Sequence, residues 1–277
     1  MNIDLHSHST VSDGALTPRD LVRRAAGKGV EVLALTDHDS LGGLDEARAA
    51  AHECAIGFVD GVEVSVTWRG ATIHVVGLGI DPADPRLRAG LQAVSSGRVE
   101  RARAMAASLA ASGIEGSFDG AMRFAHNPAM IGRTHFARFL VDSGVVEDTR
   151  AAFRKYLVPG KPGYSPFDWT TLANAVGLIR GAGGAAVIAH PGRYSLSAGA
   201  MGDLISEFRA AGGVGIEVVT GNHSADQIRM FDALARQHGL LASRGSDFHA
   251  PGEGSVELGG IPALAPGLDP VWRALAF

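Results

Sequence analysis

The chain opens MNIDLHSHSTVSDG, with two histidines two positions apart and an Asp-Gly close behind them. The apolar lead of Ile3 and Leu5 predicts a short strand, and alternate residues of a strand share a face, so His6 and His8 aim at one point. Two imidazoles converging in this way are either a metal site, since a neutral imidazole nitrogen ligates several divalent ions, or a coincidence. Comparable residues recur along the other apolar runs. VLALTDHD closes on Asp37 and His38, GVEVS carries Glu63, and ATIHVVG carries His74. AAVIAHPG ends at His190, GIEVVTGNH at Asn222 and His223, and ASRGSDFH at Asp247 and His249.

Each of these signals has an ordinary structural alternative. The Asp of TDH could cap a helix, Glu63 could be half of a buried ion pair, and His190 before Pro191 could simply be packed. The joint pattern is more specific, because buried ionisable groups are costly unless paired or bound to metal. His6, His8, His38, His74, His190 and His249 supply imidazole nitrogens; Asp13, Glu63 and Asp247 supply negative charge. So many donors suit two or three divalent ions rather than one, with a carboxylate such as Glu63 bridging. Three such ions outweigh three carboxylates, so the site would attract an anion, and a phosphomonoester fits. Metal chemistry there lowers the pKa of water, orients the phosphoryl group and stabilises the leaving oxygen. Mixed imidazole and carboxylate donors accept manganese, zinc, iron or cobalt. His52, His126 and His238 lie in helical or connecting stretches and read as surface or packed residues.

These residues require a scaffold that brings them together. Thr17-Pro18 reads as a helix N-cap with proline at the first helical position, opening PRDLVRRAAGKG. VEVLAL, the helix LDEARAAAHE, and the strands GFVDGVEVSV and ATIHVVGLGI follow. From about residue 170 the alternation resumes as TTLANAVGLIRGAGG, AAVIA, AMGDLISEFRAAGG, GIEVV, ADQIRMFDALARQHG and LLASRGSDF. Strand–helix alternation predicts parallel β/α units. About seven units match a barrel, whose C-terminal strand edges meet at one mouth, or an open doubly wound sheet. No G-x-G-x-x-G follows the first strand, which weakens a dinucleotide-binding reading. Residues 84–166 carry only helical patterns, so the expected organisation is a barrel from 1–83 and 167–277 interrupted by a helical insertion over its mouth.

The net charge of −4 and pI near 6.2 provide no global basic field, which argues against a stable DNA complex. The single cysteine, Cys54, precludes an internal disulfide framework and fits a reducing compartment. No apolar leader opens the chain and no run approaches membrane-spanning length, so the expected location is the cytoplasm and no membrane partner is expected.

In order, HSHSTVSDG, TDHD, GVEVS, IHVVG, IAHPGR and GSDFH resemble the PHP (polymerase and histidinol phosphatase) phosphoesterases, across almost the whole chain. The resemblance implies a distorted (β/α)7 barrel with a trinuclear centre, manganese being the leading ion and zinc or iron the alternatives. It assigns His6, His8, Glu63 and Asp247 to one ion; Glu63, His74 and His190 to a second; and Asp13, His38 and His249 to a third. Asp37 is expected to support the structure. IGRTHFARFLVDSG with KYLVPGKPGYSP looks like the subgroup carrying a helical insertion. Its activity is hydrolysis of nucleoside 3′,5′-bisphosphates to the 5′-monophosphate, in some members beside 5′→3′ trimming of short RNA; a histidinol-phosphate-type phosphomonoesterase is a further alternative. A substrate with two phosphates needs a second anion clamp, for which arginine's planar fork is suited. Arg133 beside Thr134 and His135, Arg193 and Arg244 are the candidates, with Lys161 weaker. Asn222 is a candidate phosphate or sugar contact, and His223 a substrate contact or the acid that protonates the leaving 3′-oxygen.

Overall fold

The computed structural model describes residues 1–254 and 256–275. Strand β1 (Ile3–Asp4) is followed by α1 (Pro18–Gly27), β2 (Val32–Leu35), α2 (Leu44–Glu53), and the long strands β3 (Gly57–Trp68) and β4 (Ala71–Leu78). Thr17 caps α1 through its side chain with Pro18 in the first turn, as the sequence predicts. A helical stretch then runs through α3 (Pro85–Ser95), α4 (Arg98–Ala110), α5 (Ser117–Met122), α6 (Arg133–Asp142) and α7 (Thr149–Ala152). Strand–helix alternation resumes with β5 (Thr170–Thr171), α8 (Leu172–Gly181), β6 (Ala185–Ile188), α9 (Ala198–Ala210), β7 (Gly215–Thr220), α10 (Ala225–His238) and β8 (Leu241–Gly245).

The strands follow the order β1-β2-β3-β4-β6-β7-β8, with the short β5 attached to β3. Backbone hydrogen bonds Leu5 N to Arg244 O and Asp247 N to His6 O bring the last strand back to the first, nearly closing a seven-stranded barrel. One strand departs from the expected parallel pattern: β4 is antiparallel to both β3 and β6. β4 follows β3 after only Arg69 and Gly70, too short a link for a parallel crossover, so the chain reverses as a hairpin. The reversal carries His74, near the start of β4, to the end of the barrel where the parallel strands finish.

Alternation along the strands divides the core. Val32, Ala34, Val59, Val76, Leu78 and Val187 pack together inside the barrel with Val271, whereas Leu33, Leu35, Val62, Val64, Val75 and Ile188 pack outward against the helices. The helical stretch has its own buried cluster, including Ala102, Met105, Leu109, Phe136, Leu140 and Leu157. Leu87 and Leu91 of α3 instead pack in the main core. The helical stretch therefore leaves the barrel layer after α3, later than the boundary at residue 84 expected from the sequence.

Candidate metal centre

Glu63 is wholly buried midway along β3 and is ringed by imidazoles. Its Oε1 lies 2.9 Å from His74 Nδ1 and 2.8 Å from His190 Nε2. Its Oε2 lies 3.0 Å from His38 Nδ1 and 3.3 Å from both His6 Nε2 and His8 Nε2. Each oxygen thus faces a different group, the disposition of a bridging carboxylate. Asp247 Oδ1 lies 3.5 Å from His6 Nε2 and 3.3 Å from His8 Nε2. Asp13 faces His249 Nε2 at 3.4 Å, His38 Nε2 at 3.7 Å and His8 Nδ1 at 3.8 Å. All nine residues expected from the sequence therefore stand in one cluster.

The donor atoms fit divalent cations better than they fit one another. His6 Nε2, both nitrogens of His8, His38 Nδ1, His190 Nδ1, Glu63 Oε2 and Asp247 Oδ1 are buried and make no hydrogen bond. Buried polar atoms without partners are uncommon in native proteins. His6 Nδ1 donates to Glu217 Oε1 at 2.8 Å, so in the neutral ring Nε2 presents a lone pair toward the Glu63 and Asp247 carboxylates. Such a contact is unfavourable unless a proton or a divalent cation lies between. Four overlapping sets have ligand atoms mutually within 4.8 Å: His8, Asp13, His38 and His249; His6, Glu63 and His190; His6, His8 and Asp247; His38, Glu63 and His74. Protons and cations compete for these nitrogens. Burial opposes protonation of His6, yet Glu217, Glu63 and Asp247 raise its pKa well above the usual value. Burial and the neighbouring Arg193 push His190 down to about 3.

Surrounding residues hold these ligands. Asp37 accepts from Ser9 N at 2.8 Å and from the Ser9 and Ser12 hydroxyls at 2.6 Å, fixing the loop of HSHSTVS, the supporting role expected of it. Tyr194 accepts from His74 N at 2.9 Å and donates to Ala189 O at 2.8 Å, tying together the strands of two ligands. Glu217, which the sequence reading did not single out, accepts from His6 Nδ1 and, at 2.5 Å, from the backbone N of His190. A lone acid inside the apolar run GIEVV was the available signal. The register of β7 against β8 shifts between Glu217 and Val219, a bulge of the kind that re-aims side chains beside functional sites. His190 and Asp247 adopt φ of 27° and 55°, strained values for non-glycine residues that occur preferentially at such sites.

A cleft of about 730 Å³ runs from the cluster to the helical stretch. His74, His190, Asp247, His249, Arg193 and Asn222 line one part; Arg133, Thr134, Phe153 and Tyr164 line another. Arg193 Nη2 lies 2.7 Å from Asp247 Oδ2, and the amide oxygen of Asn222 accepts from the same nitrogen at 2.7 Å. Arg133 makes no ion pair with a carboxylate among the described residues; its guanidinium lies over Phe153, and burial, reinforced by Arg193 and Arg98 and opposed by Tyr164 and Asp13, lowers its pKa.

Three expected substrate contacts lie elsewhere. Arg244 is turned toward the opposite end of β8, donating to Ile261 O at 2.8 Å and Asn2 Oδ1 at 3.4 Å, because the strand's alternation directs it away from the cleft. His135 is buried in the first turn of α6, where its Nδ1 accepts from Gly132 N at 3.0 Å. His223 lies against Phe231 with Nε2 accepting from Gly192 N at 3.1 Å and Nδ1 donating to Val218 O at 3.0 Å. Both of its nitrogens are committed to the fold, which removes it as a proton donor.

Known proteins resemble this chain along nearly its whole length. The PHP domain model matches residues 4–157. A 3′,5′-nucleoside bisphosphate phosphatase of Chromobacterium violaceum is 60% identical over 274 residues, covering 99% of this chain and 96% of the relative. A 5′-3′ exoribonuclease of Haemophilus influenzae is 42% identical, covering 98% and 97% respectively. A structure described as an amidohydrolase from Chromobacterium violaceum, with bound sulfate, superposes with a TM-score of 0.96 at 59% identity, covering 99% of this chain and 95% of that one.

Proposed function

The chain belongs to the PHP domain family, and from that premise we propose that it is a metal-dependent phosphatase removing the 3′-phosphate of nucleoside 3′,5′-bisphosphates, adenosine 3′,5′-bisphosphate among them, to leave the 5′-monophosphate and phosphate. The observation carrying this reading is that one cleft holds two separate anion-attracting features. At one side stands the imidazole–carboxylate cluster; at another stands Arg133, which makes no ion pair among the described residues. A substrate with a single phosphate leaves one of the two unused. The relative at 60% identity supports the same substrate class.

His6, His8, Asp13, His38, Glu63, His74, His190, Asp247 and His249 would hold two or three divalent ions, manganese first and zinc or iron next. Bound there, such ions lower the pKa of water and neutralise charge on the phosphoryl oxygens. The protein's own residues do the positioning. Glu63 keeps the imidazoles on opposite sides of one carboxylate, and Glu217 sets the tautomer of His6. Arg193, at the edge of the cluster, would grip a phosphoryl oxygen together with the Asn222 amide, a role supported by its pairing with Asp247 and Asn222 beside the cleft. Arg133 clamps the phosphate that is not cleaved, and the rings of Phe153 and Tyr164 supply apolar surface beside it. The lone thiol of Cys54 supports a reducing, cytoplasmic setting.

Kinetics of the manganese-loaded protein test this reading. With adenosine 3′,5′-bisphosphate, kcat/KM is expected to exceed that for adenosine 3′-monophosphate or histidinol phosphate by about 10–100-fold, the worth of one charged contact. Preference for histidinol phosphate, or undiminished turnover after chelation, overturns it. A 5′→3′ exonuclease acting on short RNA is the second reading, supported by the Haemophilus influenzae relative. End-labelled oligonucleotides shortened one nucleotide at a time from the 5′ end, faster than the bisphosphate is hydrolysed, would favour it.

A further inference from the structure

Among the described residues, the helical stretch reaches the barrel loops through three sets of side-chain hydrogen bonds. Arg98 of α4 pairs with the buried Asp39, directly after His38, and donates to Ser65 Oγ at 3.1 Å. Asn127 Nδ2 donates to Val11 O at 3.1 Å, in the loop that carries Asp13. Arg138 of α6 makes the most extensive tie. Its Nε and Nη2 pair bidentately with Glu253 at 2.6 Å and 2.9 Å, and its Nη1 donates to the backbone oxygen of Asp13 at 2.8 Å. Glu253 follows His249 by four residues, so one nearly buried guanidinium spans the loops of Asp13 and His249.

Asp13, His38 and His249, together with His8, form one of the sets whose ligand atoms lie mutually within 4.8 Å. The three ties therefore converge on the loops of that set. Glu63, His6 and His190 form another set, and Glu217, from β7 of the barrel, binds two of its members. The bidentate Arg138–Glu253 pair and the bond to Asp13 O fix the separation of two loops whose ligands must meet to within a fraction of an ångström. Loops carry functional residues well only when a rigid framework holds them.

We propose that Arg138 is a positioning residue for the cation site formed by His8, Asp13, His38 and His249, so that this site is assembled jointly by the barrel and the helical stretch, whereas Arg138 makes no hydrogen bond, among the described residues, to the loops or strands that carry Glu63, His6 and His190. The inference rests on reading the cluster as a metal centre. It separates cleanly from an electrostatic effect. Arg138 is a cation near a cation site, so Coulomb's law predicts that its removal tightens ion binding. Positioning predicts the reverse, since losing an outer support of a ligand typically costs ten- to a hundredfold in metal affinity.

The test is calorimetric titration of the chelator-stripped full-length protein with Mn²⁺, with bound manganese counted by elemental analysis. In Arg138→Gln, one class of sites is expected to weaken about 10–100-fold while the rest hold within about twofold. Asn127→Ala, which removes a second tie without altering charge, is expected to weaken the same class, and it carries the test if Arg138→Gln loses its native circular dichroism. Unchanged affinity, equal weakening of every class, or tighter binding would overturn the inference. Failure of the wild-type protein to bind Mn²⁺ at all would overturn the metal-centre reading as well, which distinguishes the two failures.

Discussion

Glu63 is a carboxylate with five imidazoles within 3.3 Å, whereas Asp13 and Asp247 each face three. Its position follows from strand alternation: Val62 and Val64 pack outward in the main core, so Glu63 must face the barrel interior. His135 illustrates the opposite outcome for an ionisable residue. Its buried ring accepts a backbone N–H and binds no metal-cluster residue by hydrogen bond; burial lowers its pKa to about 4, Arg138, Arg98 and His249 act in the same direction, and Asp13 opposes them. The neutral ring is the folded form. The unfolded chain therefore takes up the proton first as pH falls, near the usual value of 6.5. This contribution to stability is fully present above about pH 6.5 and is lost as pH falls toward about 4, to an extent on the order of 3 kcal/mol. His135→Gln keeps an acceptor for Gly132 N but cannot titrate. Its urea midpoint should fall less steeply than that of the wild type between pH 6.5 and 4; parallel curves would refute the assignment.

At the scale of elements, the barrel closes where β8 runs beside the residues following β1. Gly245 ends β8, and a methyl group added there would lie 2.2 Å from His6 Cβ and 2.7 Å from His6 N. Neither atom can move without displacing a ligand or the backbone hydrogen bond from Asp247 N to His6 O. Gly245→Ala is thus expected to destabilise by about 1–3 kcal/mol, the cost of overpacking a close contact, and to weaken manganese binding through His6. Denaturant melts beside a metal titration would check both effects; a stable variant with normal affinity would show that the contact relaxes cheaply. The β3–β4 hairpin is the other element that matters. Reversal of β4 brings His74 to face Glu63, and its register pairs His74 with Ser65.

The whole molecule concentrates ionisable residues in its interior at the mouth of the barrel, and its stability should depend on what neutralises them. Imidazoles and carboxylates gathered there are costly to bury unless protons or divalent cations neutralise them. Manganese at a hundredfold above its dissociation constant should stabilise the fold by about 2.7 kcal/mol per site, raising Tm by roughly 5 °C or more for a domain of this size. Chelation should reverse the gain. Differential scanning fluorimetry with and without chelator measures it, and an unchanged Tm would contradict the account. No helix among the described residues is long and apolar enough to cross a membrane.

The nine clustered residues were legible in the sequence because their types are rare in or just after apolar strands; Glu63 and His74 lie within strands, and most of the others follow closely on strand ends that meet at one mouth. The alternation of strands and helices, and the long stretch without strands, were legible for the same reason: hydrophobic period is a local property of the chain. The antiparallel course of β4, the departure of the helical stretch only after α3, and the roles of Glu217, Asp39 and Arg138 depended on the tertiary structure. Those roles come from partners brought close across the fold, such as Arg138 beside Asp13 and Glu253, more than a hundred residues away on either side. The sequence overstated Arg244, His135 and His223 because proximity along the chain to a ligand or a loop does not decide which way a side chain turns; the packing around it does.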